Sequence, residues 1–146
     1  MQLPLATILF MFASFISQPA ADDFERCNQN FEHECYYVLN KKYPGIEEFE
    51  FFWVDELDRT NSLFHGAAYI NKAFHKFEGT VKSNRIFFAV SLRGGLAYKF
   101  EGSFLPSGRR VGKKRIAIEG RLTKQNESKK EKVRNVKLFV DFGGNQ

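Results

Sequence analysis

The chain has 146 residues, and its 22 Lys and Arg against 17 Asp and Glu give it a net charge of +5. A chain of this length suits one domain, which can bury roughly two-thirds of its unfolded surface. The 17 Phe residues predict a core of large side chains. Because only two Cys are present, the chain is excluded from the class of small domains that depend on several disulfide bonds.

The N-terminus carries the pattern of a secretory signal. The first 21 residues contain no charged side chain, and the segment 3–16 is largely apolar. It resembles a signal sequence cleaved near Ala20 or Ala21. We predict a signal peptide over 1–21 and a single secreted globular domain over 22–146, located outside the cell. The apolar run is shorter than the roughly 18 to 20 residues of a membrane span, and no other stretch is longer, so we predict no transmembrane segment.

The next segment has apolar residues at the spacing of an amphipathic helix. They recur every three or four positions, which places them along one stripe; they are Phe24, Cys27, Phe31, Cys35 and Val38. Tyr43-Pro44-Gly45 provides a stop signal. The pattern predicts a helix over about 23–41.

The two cysteines conflict with a straight helix. Residues eight positions apart lie about 12 Å apart along a helix axis, whereas a disulfide needs Cα atoms within about 7 Å. Either the helix breaks near Asn28-Gln29-Asn30, or Cys27 and Cys35 do not bond to each other. We favour the disulfide, because free buried thiols are less usual outside the cell.

Beyond this segment the side chains alternate with the period of β-strands. Turn residues such as Arg93-Gly94-Gly95 separate the alternating runs. The predicted strands are 46–54, 63–71, 73–82, 85–93, 95–105, 114–123 and 133–142. Short links between them predict an antiparallel meander.

One phrase occurs three times: Phe77-Glu78-Gly79-Thr80-Val81, Phe100-Glu101-Gly102-Ser103-Phe104 and Ile118-Glu119-Gly120-Arg121-Leu122. In a strand, its apolar residues and its Gly share one face, and its Glu and polar residue share the other. A Gly at a strand centre costs stability unless the strand bends there or another group packs closely. The repeat therefore predicts a sheet that curls.

These elements predict an α+β fold that is mostly β. We expect one N-terminal helix followed by a curved antiparallel meander of six or seven strands. A closed β-barrel is the alternative, because the same alternation fits both architectures.

Charge is unevenly distributed along the chain. Residues 22–60 hold eleven acidic against four basic side chains, a balance of −7, and residues 109–134 hold eleven basic against three acidic, a balance of +8. Either the two segments face each other in the fold and neutralise, or the second forms a basic surface for an anionic partner.

The densest basic cluster is Arg109, Arg110, Lys113, Lys114 and Arg115. Its pattern of two bases, two other residues and three bases resembles the consensus proposed for heparin-binding clusters, since closely spaced Arg and Lys bind sulfated glycans. Lys129, Lys130, Lys132 and Arg134 would extend this patch across a hairpin. The alternatives are a solvated loop and a dibasic processing site, although excision would cut between well-patterned strands.

Other chemistry receives little support from the sequence. His33, His65 and His75 match no zinc motif, and we find no hydrolase or phosphate-loop motif. We therefore predict no catalytic residues, no metal and no cofactor. We also predict no nucleic-acid partner, because the aromatic residues do not interleave with the bases. Asn126-Glu127-Ser128 is a glycosylation sequon, which makes Asn126 a candidate acceptor.

Three functional hypotheses remain from the sequence. The first is a secreted, non-enzymatic protein that binds a sulfated glycan or another extracellular polyanion, such as a microbial surface, through its basic C-terminal hairpins. The second is an extracellular carrier that holds a small apolar ligand in a Phe-lined cavity. The third is an extracellular inhibitor that presents a loop to an enzyme.

Overall fold

Alternating side chains and short turns fold the chain into antiparallel strands. The structure, a computed structural model, describes Phe24, Cys27, residues 35–128 and residues 130–141, apart from the side chain of Glu56. The strands are β1 (Cys35–Leu39), β2 (Phe49–Asp58), β3 (Leu63–Ile70), β4 (Ala73–Lys82), β5 (Arg85–Ser91), β6 (Ala97–Val111), β7 (Lys114–Gln125) and β8 (Glu131–Asp141). Each strand pairs with the next, and β1 also pairs with β8, so the sheet closes into a barrel.

The predicted N-terminal helix is wrong. Its last part, Cys35–Leu39, is strand β1, which pairs with β2 on one side and β8 on the other. No α-helix forms within residues 35–128 or 130–141, where Arg93–Gly95 makes one 3-10 turn. Apolar residues occur at consecutive positions of β1 because its inward and outward faces are both covered, and this produced the helix-like spacing.

The predicted open meander of six or seven strands is also wrong. The barrel has eight strands, and the closed barrel, named as the alternative, is the architecture present. The additional strand is β1, which the helix prediction had covered. It joins Tyr36 to Asp141 and Leu39 to Leu138 across the closing seam.

The seven strands predicted from 46–54 onward correspond to β2–β8. The largest difference is in β6, which continues to Val111 instead of ending at residue 105. The predicted signal peptide, residues 1–21, lies outside the described residues, as does most of the segment 23–34.

Aromatic rings fill the interior of the barrel. Phe52, Phe88 and Phe100 are fully buried. Their ring centroids lie 5.0 to 5.5 Å apart in all three pairs. Phe77 stacks on Phe88 at 4.0 Å. These contacts are those of a packed core, so they give no support to a carrier that holds an apolar ligand in this space.

The repeated glycines face this core, which confirms their predicted side of the strand. Gly102 and Gly120 are cross-strand partners on β6 and β7. A Cβ atom at Gly102 would lie 2.8 Å from Phe100 Cζ, and one at Gly120 would lie 2.7 Å from it. The physical reason for these glycines is therefore close packing of a ring on the backbone.

The connections between strands define two ends of the barrel. The Gly112 end carries the turns 59–62, 83–84 and 112–113. The Asn126 end carries the links 40–48, 71–72 and 92–96 and the loop that begins at Asn126.

Candidate functional site

The basic cluster predicted from the sequence lies at the tip of the β6–β7 hairpin. Arg110 pairs with Arg115, and Val111 pairs with Lys114. Gly112 has a φ of +64°, which suits the two-residue turn that it forms with Lys113. All five predicted residues are therefore brought together at the Gly112 end, and we call them the hairpin tip.

A large bulge separates the hairpin tip from the regular ladder. Phe104 pairs with Ile118, but the next pair along β6 is Arg109 with Ile116. The four residues 105–108 therefore lie opposite one residue of β7. Such an irregularity bends the bulged strand and redirects the part of the hairpin beyond it.

Three of the five basic side chains at the hairpin tip are already engaged. Arg109 forms an ion pair with Glu119. Arg115 lies over the ring of Phe24, 4.0 Å from its centroid, and its Nε donates to the carbonyl oxygen of Ser107 at 2.9 Å. Lys114 Nζ lies 4.8 Å from the ring centroid of Phe139.

The two remaining basic residues of the tip are Arg110 and Lys113. Both are exposed. Neither forms an ion pair with another described residue.

The predicted extension of this cluster is not formed. Lys132 pairs with Lys124 near the Asn126 end, whereas Lys114 lies at the Gly112 end of the same strand β7. Ten residues of strand separate Lys114 from Lys124, which is about 33 Å. Lys130, Lys132 and Arg134 therefore belong to a different surface, and Lys129 lies outside the described residues.

A concave surface on the outer face of β5–β8 adjoins the hairpin tip. Two cross-strand rows build it. The first is Arg85, Ser103, Glu119 and Lys137, and the second, beside it, is Glu101, Arg121 and Asn135. With Arg109 and Leu105 from the bulge, these rows enclose about 600 Å³. We call this the basic groove, because four basic residues but two carboxylates line it.

Sequence reasoning missed the basic groove, although its signal was present. Glu101 and Glu119 occupy the outward position of the repeated phrase, as predicted. Each pairs with an Arg: Arg121 reaches Glu101 at 2.7 Å, and Arg109 reaches Glu119. The register of β6 with β7 places Arg121 beside Glu101, and the register of β7 with β8 places Lys137 beside Glu119.

At the Asn126 end, Glu48 links the first loop to the last strands. Tyr98 and Lys124 both donate hydrogen bonds to the same carboxylate oxygen of Glu48. Partial burial raises the pKa of Glu48, but the hydrogen bonds from Lys124 and Tyr98 outweigh that effect, so the pKa lies below its usual range. Burial first, and the Glu48 carboxylate second, raise the pKa of Tyr98. Through the contact between Glu48 and Lys124, the acidic segment 22–60 touches the basic segment 109–134.

Cys27 and Cys35 lie at bonding distance, and their Cα atoms are 5.9 Å apart. The pair can therefore form the predicted disulfide. The phenol of Tyr37 donates to the carbonyl oxygen of Cys27 at 3.0 Å, and burial raises the pKa of that phenol. The two contacts hold the buried Cys27 against β1.

His65 and the sequon are exposed, and His75 is partly exposed. His65 contacts Glu78 at 2.9 Å, His75 lies on β4, and His33 is outside the described residues. Within the described ranges, no three His, Cys, Asp or Glu side chains form a group that could hold a metal ion. Asn126 is exposed, and its Oδ1 accepts from Ser128 Oγ at 2.8 Å.

Comparisons of the chain with family models, with curated proteins and with solved structures found no match. Among the residues that the structure describes, no helix has the length and apolar character needed to cross a membrane.

Proposed function

We propose that this chain is a secreted, non-enzymatic protein that binds a linear extracellular polyanion, such as a sulfated glycosaminoglycan or an anionic microbial surface. The binding surface consists of the basic groove and the hairpin tip. The observation that carries the proposal is their continuity, since Arg109 belongs to the tip and also lines the groove.

The dimensions of the surface suit an extended ligand. Arg85 on β5 and Lys137 on β8 stand at opposite sides of the groove, three strand spacings apart, which is about 14 Å. The exposed Arg110 and Lys113 continue the positive charge beyond it. A flexible chain of sulfates can contact several of these cations at once, and each contact releases counterions.

The two carboxylates in the groove act as positioning groups. Glu101 holds Arg121, and Glu119 holds Arg109. Because side chains fixed in this way lose less conformational freedom on binding, they bind anions at a lower entropic cost. They also lower the net charge of the groove, so strong binding requires a ligand that contacts several of its cations at once.

Affinity chromatography on immobilised heparin tests the proposal. Arg110→Ser with Lys113→Ser removes two charges from the tip, and Arg85→Ser with Lys137→Ser removes two from the groove. Arg93→Ser with Lys130→Ser removes the same two residue types from exposed loops at the Asn126 end, and serves as the matched control.

We expect the tip and groove variants to elute at clearly lower salt than the wild type, and the control to elute with it. The slope of log affinity against log salt should fall by about one for each cation that no longer pairs with a sulfate. Equally reduced retention in all three variants would show attraction by net charge alone and would remove the proposed site.

A further inference from the structure

A second surface, on the opposite side of the barrel, is aromatic instead of charged. In β2 the register against β3 shifts between Phe49 and Phe51. Phe49 is buried in the core, whereas Phe51 and Trp53 are only partly covered. Since a one-residue shift moves a side chain to the other face of a strand, Phe51 and Trp53 point outward.

These two rings belong to an outer aromatic cluster that also contains Tyr36, Tyr69 and Phe74. Phe51 stacks on Tyr69 at 4.8 Å between centroids, and Tyr69 contacts Phe74 at 5.0 Å. Tyr36 lies 5.5 Å from Phe51 and 6.2 Å from Trp53. The five rings therefore form one continuous patch across β1–β4.

A groove of about 750 Å³ runs beside the cluster. We call it the aromatic groove. Small residues, Gly66 and Ala67, form its floor, and Tyr36, Trp53 and Phe74 supply rings along it. Its polar side chains are Asp55, His65 and Lys76. A site with ring faces and a few polar groups has the composition of a small-molecule or oligomer subsite.

The geometry points to the aromatic groove as a binding site for a neutral oligosaccharide. A pyranose ring has a face of C–H groups, which carry partial positive charge and stack on the negative face of an aromatic ring. Its edge carries hydroxyl groups that need both donors and acceptors. Asp55 supplies acceptors, and Lys76 supplies donors.

The balance of charges in the aromatic groove favours a neutral ligand. Asp55 and Lys76 carry opposite charges, and His65 is in contact with the carboxylate of Glu78 at 2.9 Å. The aromatic groove therefore lacks the excess of positive charge that marks the basic groove, and a sulfated chain has no reason to prefer it.

Trp53 adds a donor in need of a partner. Its Nε1 is shielded from solvent and has no hydrogen-bond partner among the described residues. A buried donor without an acceptor is destabilising. If a small side-chain movement on binding exposes Nε1, a sugar hydroxyl seated against Trp53 can supply that acceptor, which favours a ligand with many oxygen atoms over a hydrocarbon one.

The rings cover one another too well for a large protein interface. Within the described residues of β1–β4, Phe74 is the one large apolar side chain that is strongly exposed, at 55%. A stable interface between two copies of the chain needs a wide apolar centre. A groove with one prominent ring suits a narrow ligand better.

Trp53 is the single Trp of the chain, so its fluorescence reports on this groove alone. The experiment titrates the intact protein with cellohexaose, mannohexaose and chitohexaose, each up to about 10 mM. Phe74→Ala removes the exposed ring. Phe87→Ala removes an exposed ring, 42% accessible, from the outer face of β5 and is the matched control.

We expect at least one of the three sugars to change the emission of Trp53 saturably. Phe74→Ala should weaken that binding about tenfold or more, while Phe87→Ala leaves it unchanged. Thermal unfolding of both variants checks that they are folded, and unchanged retention on heparin shows that the basic groove is intact.

Four results would overturn the inference. The first is that none of the three sugars produces a saturable change, and the second is that Phe74→Ala and Phe87→Ala weaken binding equally. The third is a concentration-dependent dimer that Phe74→Ala abolishes, without any sugar binding. The fourth is a response of Trp53 to phosphatidylcholine vesicles but to none of the sugars. The third result would assign the face to self-association, and the fourth to a lipid surface.

Discussion

Phe64 and Gly79 stand directly opposite each other on β3 and β4, and the ring of Phe64 occupies the space that a side chain at Gly79 would need. A Cβ atom there would also lie 2.6 Å from the carbonyl oxygen of Phe87 on β5. The glycine of the first repeated phrase is therefore fixed by a ring on one side and by backbone on the other.

We expect Gly79→Ala to destabilise the barrel by about 1–3 kcal/mol, because the strands cannot separate without losing ladder hydrogen bonds. Urea unfolding monitored by circular dichroism measures the change. Thr80→Ala, at the exposed neighbouring position on the outer face, should change stability far less. Similar destabilisation in the two variants would contradict the packing argument.

The lowered pKa of Glu48 implies that the stability of the barrel depends on pH. Since its pKa in the folded state lies below the usual range, the contribution of its contacts with Lys124 and Tyr98 is complete above the ordinary value of about 4.5. That contribution is lost as the pH falls through the lower folded-state value. Glu48→Gln should therefore be less stable than the wild type at neutral pH, by about 1 kcal/mol, and the difference should shrink in acid.

Unfolding midpoints between pH 7 and pH 3 measure this convergence. Glu127→Gln, at an exposed residue of the loop at the same end of the barrel, is the control. A difference between Glu48→Gln and wild type that stays constant across the range would exclude the carboxylate as its source.

We expect the free energy of unfolding to fall when the disulfide is reduced. Cys27 and Cys35 close a loop of nine residues, for which chain entropy alone gives about 2.5 kcal/mol. We expect Cys27→Ser with Cys35→Ser to lower the free energy of unfolding by about that amount. Mass spectrometry under non-reducing conditions first establishes the bond, and finding two free thiols would exclude it.

Glu119 restrains the basic groove. Its carboxylate fixes Arg109, but it also cancels a positive charge that a polyanion would otherwise meet. Since charge dominates the binding of a polyanion, we expect the second effect to be larger, and Glu119→Gln should raise the salt concentration at which the protein leaves a heparin column. Glu127→Gln changes the net charge equally but lies at the Asn126 end, so it should have a smaller effect. If Glu127→Gln shifts elution as much as Glu119→Gln does, the gain comes from net charge and not from the freed Arg109.

Asn126 lies at the end of the barrel away from the hairpin tip, separated from it by the length of β7. If Asn126 carries a glycan, we expect its removal by glycosidase, or the variant Asn126→Gln, to leave heparin retention unchanged within error. A marked gain in retention would place the glycan over the polyanion surface and would contradict the separation of the two ends.

Most strands of the barrel could be predicted from the alternation of apolar and polar residues. The runs that became β3–β8 have buried residues on one face and polar residues on the other, and Gly or Asn turns between them. Strand β1 could not be read in this way because Tyr36 and Val38 are partly covered on the outside while Cys35 and Tyr37 are buried inside. A strand that is apolar on both faces has no period of two.

The sites were predicted less completely, for physical reasons that differ. The hairpin tip is local in sequence, so its five basic residues could be identified from spacing alone. The basic groove joins Arg85 to Lys137 across three strand pairs, and only the register brings them together. The aromatic groove depends on the bulge in β2, beyond which Phe51 and Trp53 face outward although Phe49 faces the core.

The seam between β1 and β8 joins residues more than one hundred positions apart, such as Tyr37 and Val140. Hairpins β2–β3 through β7–β8 can each form from neighbouring sequence, but this pairing requires both ends of the barrel sequence to be present. Contacts of such long range slow folding, because the closure entropy must be overcome first. During synthesis one edge of β1 stays unpaired until β8 has been made. In that interval this edge and the edge of the last strand formed can pair with other chains. Pairing of β1 with β8 is therefore expected to influence both the rate of folding and the tendency to aggregate.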